Sequence, residues 1–319
     1  MTSESLSHAA RPTDLVALVT FDDQVRQNQA VTMDSLVDLD QHRTRPLNAA
    51  LAQWLHLGRR MWINVDGREV HGIATARDLN AKSAWAIDTL IDAAADDAND
   101  VVSDLLGQAI EAAARAEVTH LLLRTLLDAA GREAATRAGF RPALIERLWR
   151  GAARAMAPPE GINVRSVVEA DELALFQLYS RSLPVEARSL LGMTREEWSA
   201  LRDRRWLRGG AELVAEREGT ITALVGFHEQ HGRVQLDLVA EPDDVASVAA
   251  LLGVVLERAS SSEVSALVPR SAASVERVLA DAGLAPESEY VQLCRRLARP
   301  VLAESPVHAG MPVPSGGGA

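Results

Sequence analysis

The chain repeats itself. Leu105 to Arg124, LLGQAIEAAARAEVTHLLLR, returns without a gap as Leu251 to Arg270, LLGVVLERASSSEVSALVPR, with nine of twenty positions identical. After a two-residue slip the echo resumes, and Ala138-Gly139-Phe140-Arg141-Pro142 matches Ala282-Gly283-Leu284-Ala285-Pro286. A period of about 145 residues is one domain long, far above the unit of a solenoid, and predicts a duplicated domain. The 319 residues suffice for two units that each bury a core.

Ala157-Pro158-Pro159-Glu160-Gly161 stops any helix or strand and marks the boundary. The expected organisation is a mobile N-terminus (1–13), a first domain (14–151), a linker (152–161), a second domain (162–300) and a disordered tail rich in Ser, Pro and Gly (301–319).

Within the first half, Leu15 to Phe21 reads as a strand and Val25 to about Leu57 as helical text. A meander follows at 60–65, 70–76 and 85–91, with Asp66-Gly67 as a hairpin turn. Val102, Leu105, Leu106, Ala109, Ile110 and Ala113 line one face of a helix. A strand (118–123), a helix (128–137) and a last strand (145–149) close the half. The second half runs in the same order. Helix 172–182 precedes a helix opened by the capping box Thr194-Arg195-Glu196-Glu197, then the meander 212–217, 221–228 and 234–239. Its central helix carries Val248, Leu251, Leu252, Val255, Leu256 and Ala259 on one face, and strand 264–268, helix 272–282 and strand 290–293 complete it. An antiparallel meander joined to a parallel strand-helix-strand crossover defines a mixed α/β sheet flanked by helices.

A net charge of −11 argues against nonspecific binding to nucleic acid or to an anionic membrane. Cys294 is the lone cysteine and has no disulfide partner within the chain. No cationic start followed by an apolar stretch and no long apolar run occurs, so a cytoplasmic protein without a membrane span is expected. Lys82 is the only lysine, which we read as the coding bias of a bacterium.

The meander, the Leu-Leu-Gly helices and the Ala-Gly-Phe-Arg-Pro and Ala-Gly-Leu-Ala-Pro turns before the closing strands resemble the GNAT acyltransferase superfamily, and they do so in each half. The resemblance covers about residues 14 to 300 and implies two tandem GNAT-like domains, with acetyl-CoA or another acyl-CoA as co-substrate. It implies an acyl group held at the fourth strand and following helix, at Leu238, Val239, Ala240, Asp244 and Val245. The family's Gly-rich pyrophosphate loop is missing from both halves. Ala95 to Asp100 and Glu241-Pro242-Asp243-Asp244 stand in its place, and carboxylates there suit helix capping and repel a pyrophosphate. The tyrosine that serves the family as general acid is replaced by Ala135 and Leu279. Tyr179 and Tyr290 are the only tyrosines, and Tyr290 reads as a packing residue.

Asp88 and Asp237 recur at matching places in the fourth strand and are the candidate bases, with Glu216 and His228 as weaker alternatives. Arg205 and Arg208 belong to the one dense basic cluster, Arg202 to Arg208 around Trp206, which can hold an acidic substrate or a phosphate or else be a solvated helix end. His228-Glu229-Gln230-His231 is one residue short of a zinc-protease helix and reads as a hairpin tip, so no metal site is expected. Two functions follow. One is an N-acyltransferase acting on a small-molecule or peptide amine, with one working half, more readily the second. The other is a non-catalytic tandem binding or assembly module that has lost CoA binding. Similar apolar surfaces in the two halves suggest packing about a pseudo-twofold axis.

Overall fold

The computed structural model describes residues 6–22, 27–36, 58–67, 69–93, 99–154, 156 and 159–298. Among them are twelve strands: β1 (Leu6–Ala9), β2 (Arg59–Asp66), β3 (Glu69–Asp78), β4 (Ala84–Asp92), β5 (His120–Leu126), β6 (Arg141–Ala152), β7 (Asn163–Ser166), β8 (Ala211–Arg217), β9 (Thr220–Gln230), β10 (Arg233–Ala240), β11 (Glu263–Pro269) and β12 (Ala285–Arg296). The α-helices are α1 (Leu15–Asp22), α2 (Asn99–Arg115), α3 (Ala130–Arg137), α4 (Glu172–Ser182), α5 (Val185–Leu191), α6 (Arg195–Leu201), α7 (Val245–Arg258) and α8 (Ala273–Asp281). No helix among the described residues is long and apolar enough to cross a membrane.

All twelve strands join one sheet in the order β1-β2-β3-β4-β5-β12-β6-β11-β10-β9-β8-β7. The order is palindromic under exchange of the halves, with the pseudo-twofold axis between β6 and β12. Each closing strand has crossed over: β12 pairs with β5 of the first half, β6 pairs with β11 of the second, and the two pair with each other. The cores are exchanged accordingly. Val291 and Leu293 of β12 pack among the first-half residues around α2, and Trp149 of β6 packs among those around α7. The expectation of two self-contained cores is therefore corrected, because a closing strand of alternating apolar residues can extend either sheet and the sequence does not say which.

The repeated Ala-Gly-Phe and Ala-Gly-Leu turns now have a physical basis. Gly139 and Gly283 take φ of +85° and +97°, a left-handed conformation that ends α3 and α8 without a Cβ clash. Phe140 and Leu284, next in line, are buried and pin the chain as it enters β6 and β12. At the hairpin between β8 and β9, Glu218 and Gly219 both have positive φ (52° and 75°), as a primed turn requires.

Three further expectations are corrected. Leu15 to Phe21 is not a strand but lies in α1: a short apolar run suits either state, and Pro12 with Asp14, whose carboxylate accepts the Arg11 N–H at 2.7 Å, starts a helical turn ahead of it. Leu18 and Phe21 then close a small core with Met61, Ile63, Ile73 and Ile91. Leu6 to Ala9, expected to be mobile, pairs with β2 from Leu6↔Val65 to Ala9↔Trp62. Residues 27–32, read as helical text, are not helical. Met33 is a turn and Asp34–Leu36 a single 3-10 turn, and the rest of that text, at 25–26 and 37–57, lies outside the described residues, as do 94–98, 157–158 and 301–319.

Candidate functional site

In each half the parallel pairing of the fourth and fifth strands of the GNAT-like order stops midway. β4 and β5 pair from Ala84↔His120 to Ile87↔Leu123, and β10 and β11 from Val234↔Val264 to Asp237↔Leu267. Beyond these points the strands part and leave backbone groups facing a wedge. The causes differ. In β4, Asp88 has no partner between Ile87↔Ala76 and Thr89↔Thr75, a bulge that turns the strand. In β11 the cause is a proline. Because Arg270 N–H donates to Ile145 of β6, the residue before it faces β10, and that residue is Pro269, which has no N–H to continue the ladder.

The first wedge is filled by the chain itself. Gln29 N–H donates to the Leu90 carbonyl and Val31 N–H to the Arg124 carbonyl, each at 2.8 Å, so the inserted segment bonds both diverging strands. The Asn28 amide completes the seal, accepting from Leu90 N–H (2.8 Å) and Ala30 N–H (3.0 Å) and donating to the Asp88 carbonyl (3.1 Å). Gln29 Oε1 also accepts the N–H of Gly131, in the first turn of α3 (2.7 Å). Asp88 is consumed as well: its buried carboxylate takes hydrogen bonds from Thr75 Oγ1 (2.5 Å) and Arg59, with Arg77 Nε at 3.7 Å. It is a clamped ion-pair partner, out of reach of a substrate.

The second wedge is open to a cavity. Among the described residues no segment hydrogen-bonds to the wedge-facing edge of β10 beyond its ladder. Asp237 stands at the apex. Its carboxylate takes no hydrogen bond or salt bridge from any described residue and faces a cavity of about 220 Å³ over the centre of the sheet. The cavity also reaches Leu238, Val239, Leu267 and Pro269. The side chain is exposed to the water of the cavity, and the surrounding mass of protein still desolvates the carboxyl in part. This burial, together with the Glu146 carboxylate and against the pull of Arg124 and Arg202, pushes Asp237 up to about 6.

The rest of the cavity is built by both halves. Its floor carries Arg124, which grips Glu146 with two hydrogen bonds of 2.7 and 3.1 Å. Its roof is α4 to α6, the 202–207 loop and Val31 to Met33, the continuation of the first-half plug. Met33 is held there by Gln235 of β10, whose amide donates to its carbonyl. The loop is tied down from the other half, because Asp203 receives a bidentate pair of bonds from Arg77 of β3 (3.0 and 2.6 Å). Tyr179, one turn beyond Leu175 on α4, points into the cavity against Trp198, with ring centroids 6.0 Å apart. Burial pushes its phenol well above the usual value, so it stays protonated at neutral pH.

The structure brings Asp237, Leu238 and Val239 together at this site and places Ala240 just beyond, on the same diverging edge. Asp244 and Val245 lie at the head of α7, where Asp244 caps the helix by accepting Ser247 N–H (3.1 Å) and pairs with Arg217 (3.2 Å). Val245 N–H is spent on the Asp243 carbonyl. Glu241, paired with Arg181 at 2.7 Å, adds another carboxylate there. The open edge of β10 therefore fits an extended acyl-thioester arm, while this helix end does not fit a diphosphate.

Arg205 and Arg208 lie outside the cavity lining; the loop instead presents Arg202 and Arg204. Glu216 is spent on Arg165, and His228 Nδ1 bonds the Trp206 carbonyl at 2.7 Å near the β9–β10 hairpin. Tyr290 is buried between Val31, Leu148 and Leu267, and Ala135 and Leu279 are core residues with no exposure. Sequence reasoning missed Tyr179, Glu146 and Arg124. The only available signals were the scarcity of tyrosine and the polar residues in strands otherwise apolar.

No family model matches the sequence, and no curated protein does. Solved structures match over nearly the full length. One is a GCN5-related N-acetyltransferase from Sphaerobacter thermophilus, with 17% identity, a TM-score of 0.54, and coverage of 92% of this chain and 95% of that one. Another is a tandem GNAT protein from the clavulanic acid biosynthesis pathway, with 13% identity, a TM-score of 0.53, and coverage of 92% and 98%. At such identity the likeness is one of fold. The chain has the tandem GNAT fold, a mixed α/β architecture laid out twice along one sheet.

Proposed function

We propose that the second half is an N-acyltransferase centre and that the first half is its scaffold. The observation that carries this reading is the open wedge at Pro269 with Asp237, which no described residue bonds, at its apex, set against a first-half wedge sealed by residues 28–31. A bound acyl thioester, acetyl-CoA being the simplest, would supply an electrophilic carbonyl and a thiolate leaving group. The residues of the chain supply the rest. With its carboxyl at about 6, Asp237 is mostly ionised at neutral pH and close to the optimum for a general base, able to take the proton an attacking amine releases as the N–C bond forms and the C–S bond breaks. Tyr179, kept neutral by burial, is the proton donor on the cavity wall for the departing sulfur. Leu175, Trp198, Leu201 and Leu207 give the cavity an apolar side against which the thioester can lie.

The carboxylates around α7 favour a second reading, in which the cavity binds a small molecule without CoA chemistry. Calorimetric titration with acetyl-CoA, with desulfo-CoA and 3'-phosphoadenosine as controls, separates the two. Binding near one site per chain together with thiol release in the presence of amines supports acyl transfer. No binding up to millimolar acetyl-CoA leaves the tandem as a binding module.

A further inference from the structure

The cavity beside Asp237 continues across the pseudo-twofold axis. Its floor runs from Val239 on β10 through Leu144 on β6 to Leu122 on β5 and Ala86 on β4. β10, β11, β6, β12 and β5 are consecutive in the sheet, so β10 and β5 stand four strand spacings apart, about 19 Å. A cavity of about 220 Å³ drawn out over such a floor is a narrow channel.

Charged and apolar groups form two rows along this floor. β5 and β6 run in the same direction, since both are antiparallel to β12, and β10 runs the opposite way, being parallel to β11, which is antiparallel to β6. Arg124 and Glu146 follow Leu122 and Leu144 by two residues, and Asp237 precedes Val239 by two. The three charged groups therefore share one side of the floor and the three aliphatic ones the other, and the Arg124–Glu146 ion pair runs beside the apolar row without crossing it. At the far end Leu79, Ala86, Leu122, Leu144, Leu191 and Leu201 belong to one hydrophobic cluster supplied by both halves, and all six line the channel. Ala86, Leu144 and Leu201 are only half-buried, although they lie inside the molecule.

We infer that this channel holds an unbranched aliphatic chain of about eight or nine carbons, whose head lies at the Asp237 end and whose tail reaches the first-half leucines. The length follows from the volume: a cavity of roughly 150 Å³ takes the six carbons of benzene, and about 220 Å³ takes eight or nine in proportion. Aliphatic walls around a narrow space gain dispersion contacts from methylenes laid along them, and a charged tail would lie unpaired against the same walls. The chain belongs to the acyl thioester or to the acceptor amine, which present the same methylenes to the channel. The inference rests on the acyl-transfer reading for which reactant carries the chain, and not for the binding.

The first test is calorimetry on the full chain without any CoA ester, using 1-butanol, 1-hexanol, 1-octanol, 1-decanol and 1-dodecanol as neutral chains. Affinity is expected to rise up to about fourfold per methylene as far as 1-octanol and to level off beyond it. Ala86→Leu, which fills the far end, should weaken 1-octanol about tenfold and leave 1-butanol unchanged. Leu122→Ala, which lengthens the same end, should carry the rise on to 1-decanol, and it decides the matter if Ala86→Leu fails to fold. An affinity flat with chain length, a rise unbroken to 1-dodecanol, or a break that neither variant moves overturns the inference. Thiol release then names the source. Octanoyl-CoA with ethylamine outpacing acetyl-CoA with ethylamine by at least about tenfold in kcat/KM puts the chain on the donor, and acetyl-CoA with octylamine doing so puts it on the acceptor. Turnover fastest with acetyl-CoA and ethylamine overturns the inference. If the alcohols bind as described while no pair releases thiol, acyl transfer fails and the chain site stands.

Discussion

Between β4 and β5 the chain's own residues 28–31 bond to both strand edges, and between β10 and β11 no described segment bonds to the free edge of β10. The aspartates near the two openings follow suit. Asp88 is clamped by Arg59 and Thr75, whereas Asp237 meets no donor among the described residues. Duplication supplied two matching openings with different contents: the first is closed by hydrogen bonds from residues 28–31, and that segment runs on to roof the cavity at the second. An opening and a carboxylate in the fourth strand thus recur in both halves, and they differ in whether described residues of the chain partner them.

Exchanging each aspartate for asparagine gives the sharpest break of this comparison. Asp237→Asn is expected to lower the rate of acyl transfer by at least about 100-fold, the size of a lost general base, and to raise the denaturation midpoint at neutral pH, where the wild-type carboxyl is ionised against its raised folded value. Asp88→Asn should do the reverse, costing roughly 1–2 kcal/mol by weakening the hold on Arg59 and Thr75, since Arg77 keeps its bidentate pair with Asp203, while the folded fraction keeps its turnover. Urea titration and thiol-release rates on the same two variants decide it. If both lose activity and neither loses stability, the halves are not divided as described.

The next effect tests the plug. Asn28→Ala removes the partners of Leu90 N–H and the Asp88 carbonyl inside the first wedge, and unsatisfied buried groups make a loss of about 2–3 kcal/mol the expected outcome. A midpoint within error of wild type would mean that the segment merely lies against the opening.

The two halves should also separate by pH. Glu146, Arg124, Arg202 and Glu212 face Asp237 from the floor and the loop, with Tyr179 above, and their net effect with burial leaves its carboxyl at about 6. Its folded value lies above its unfolded value of about 3.9, so the native state holds the extra proton in that interval. The stability contributed by Asp237 is therefore fully present below about pH 4 and is lost as pH rises through about 6, while kcat/KM rises over the same range as the base ionises. Comparing Asp237→Asn with wild type between these values should remove both slopes. A transfer rate flat across pH 5 to 7 would exclude Asp237 as the base.

Much of the fold was legible because it is written twice. The helical period of Val102 to Ala113, the hairpin turn at Asp66-Gly67 and the glycines at 139 and 283 each fix a local geometry that the structure reproduces. The exchange of β6 and β12 was not legible, since alternation along a strand names its faces and not its neighbours. Residues 27–32 were misread because their conformation is set by wedge edges far away in sequence, where Leu90 and Arg124 offer unpaired groups. Asp237 was visible as a repeated acid. Nothing in the sequence set it apart from Asp88, because the difference lies in Arg59 and Thr75 reaching one and no described donor reaching the other.

The smallest expected effect concerns the end of α7, where the second half departs furthest from a CoA cradle. Asp244→Ser keeps an N-cap of equal quality, so helix stability should change by no more than about 0.5 kcal/mol. The lost pairing with Arg217, nearly half of whose side chain is exposed, adds little to that. The substitution deletes one negative charge from the helix N-terminus and releases a guanidinium beside it, two changes that favour an anion at the same place. If the diphosphate of acetyl-CoA passes this helix end, its affinity should rise about three- to tenfold, the factor expected for a charge a few ångströms away in partly screened surroundings. The matching calorimetric titration at low and high salt should show the gain shrinking as salt is added. An affinity that does not move would mean that the donor leaves the β10 edge by another path, and the carboxylates of this half would then be helix caps and nothing more.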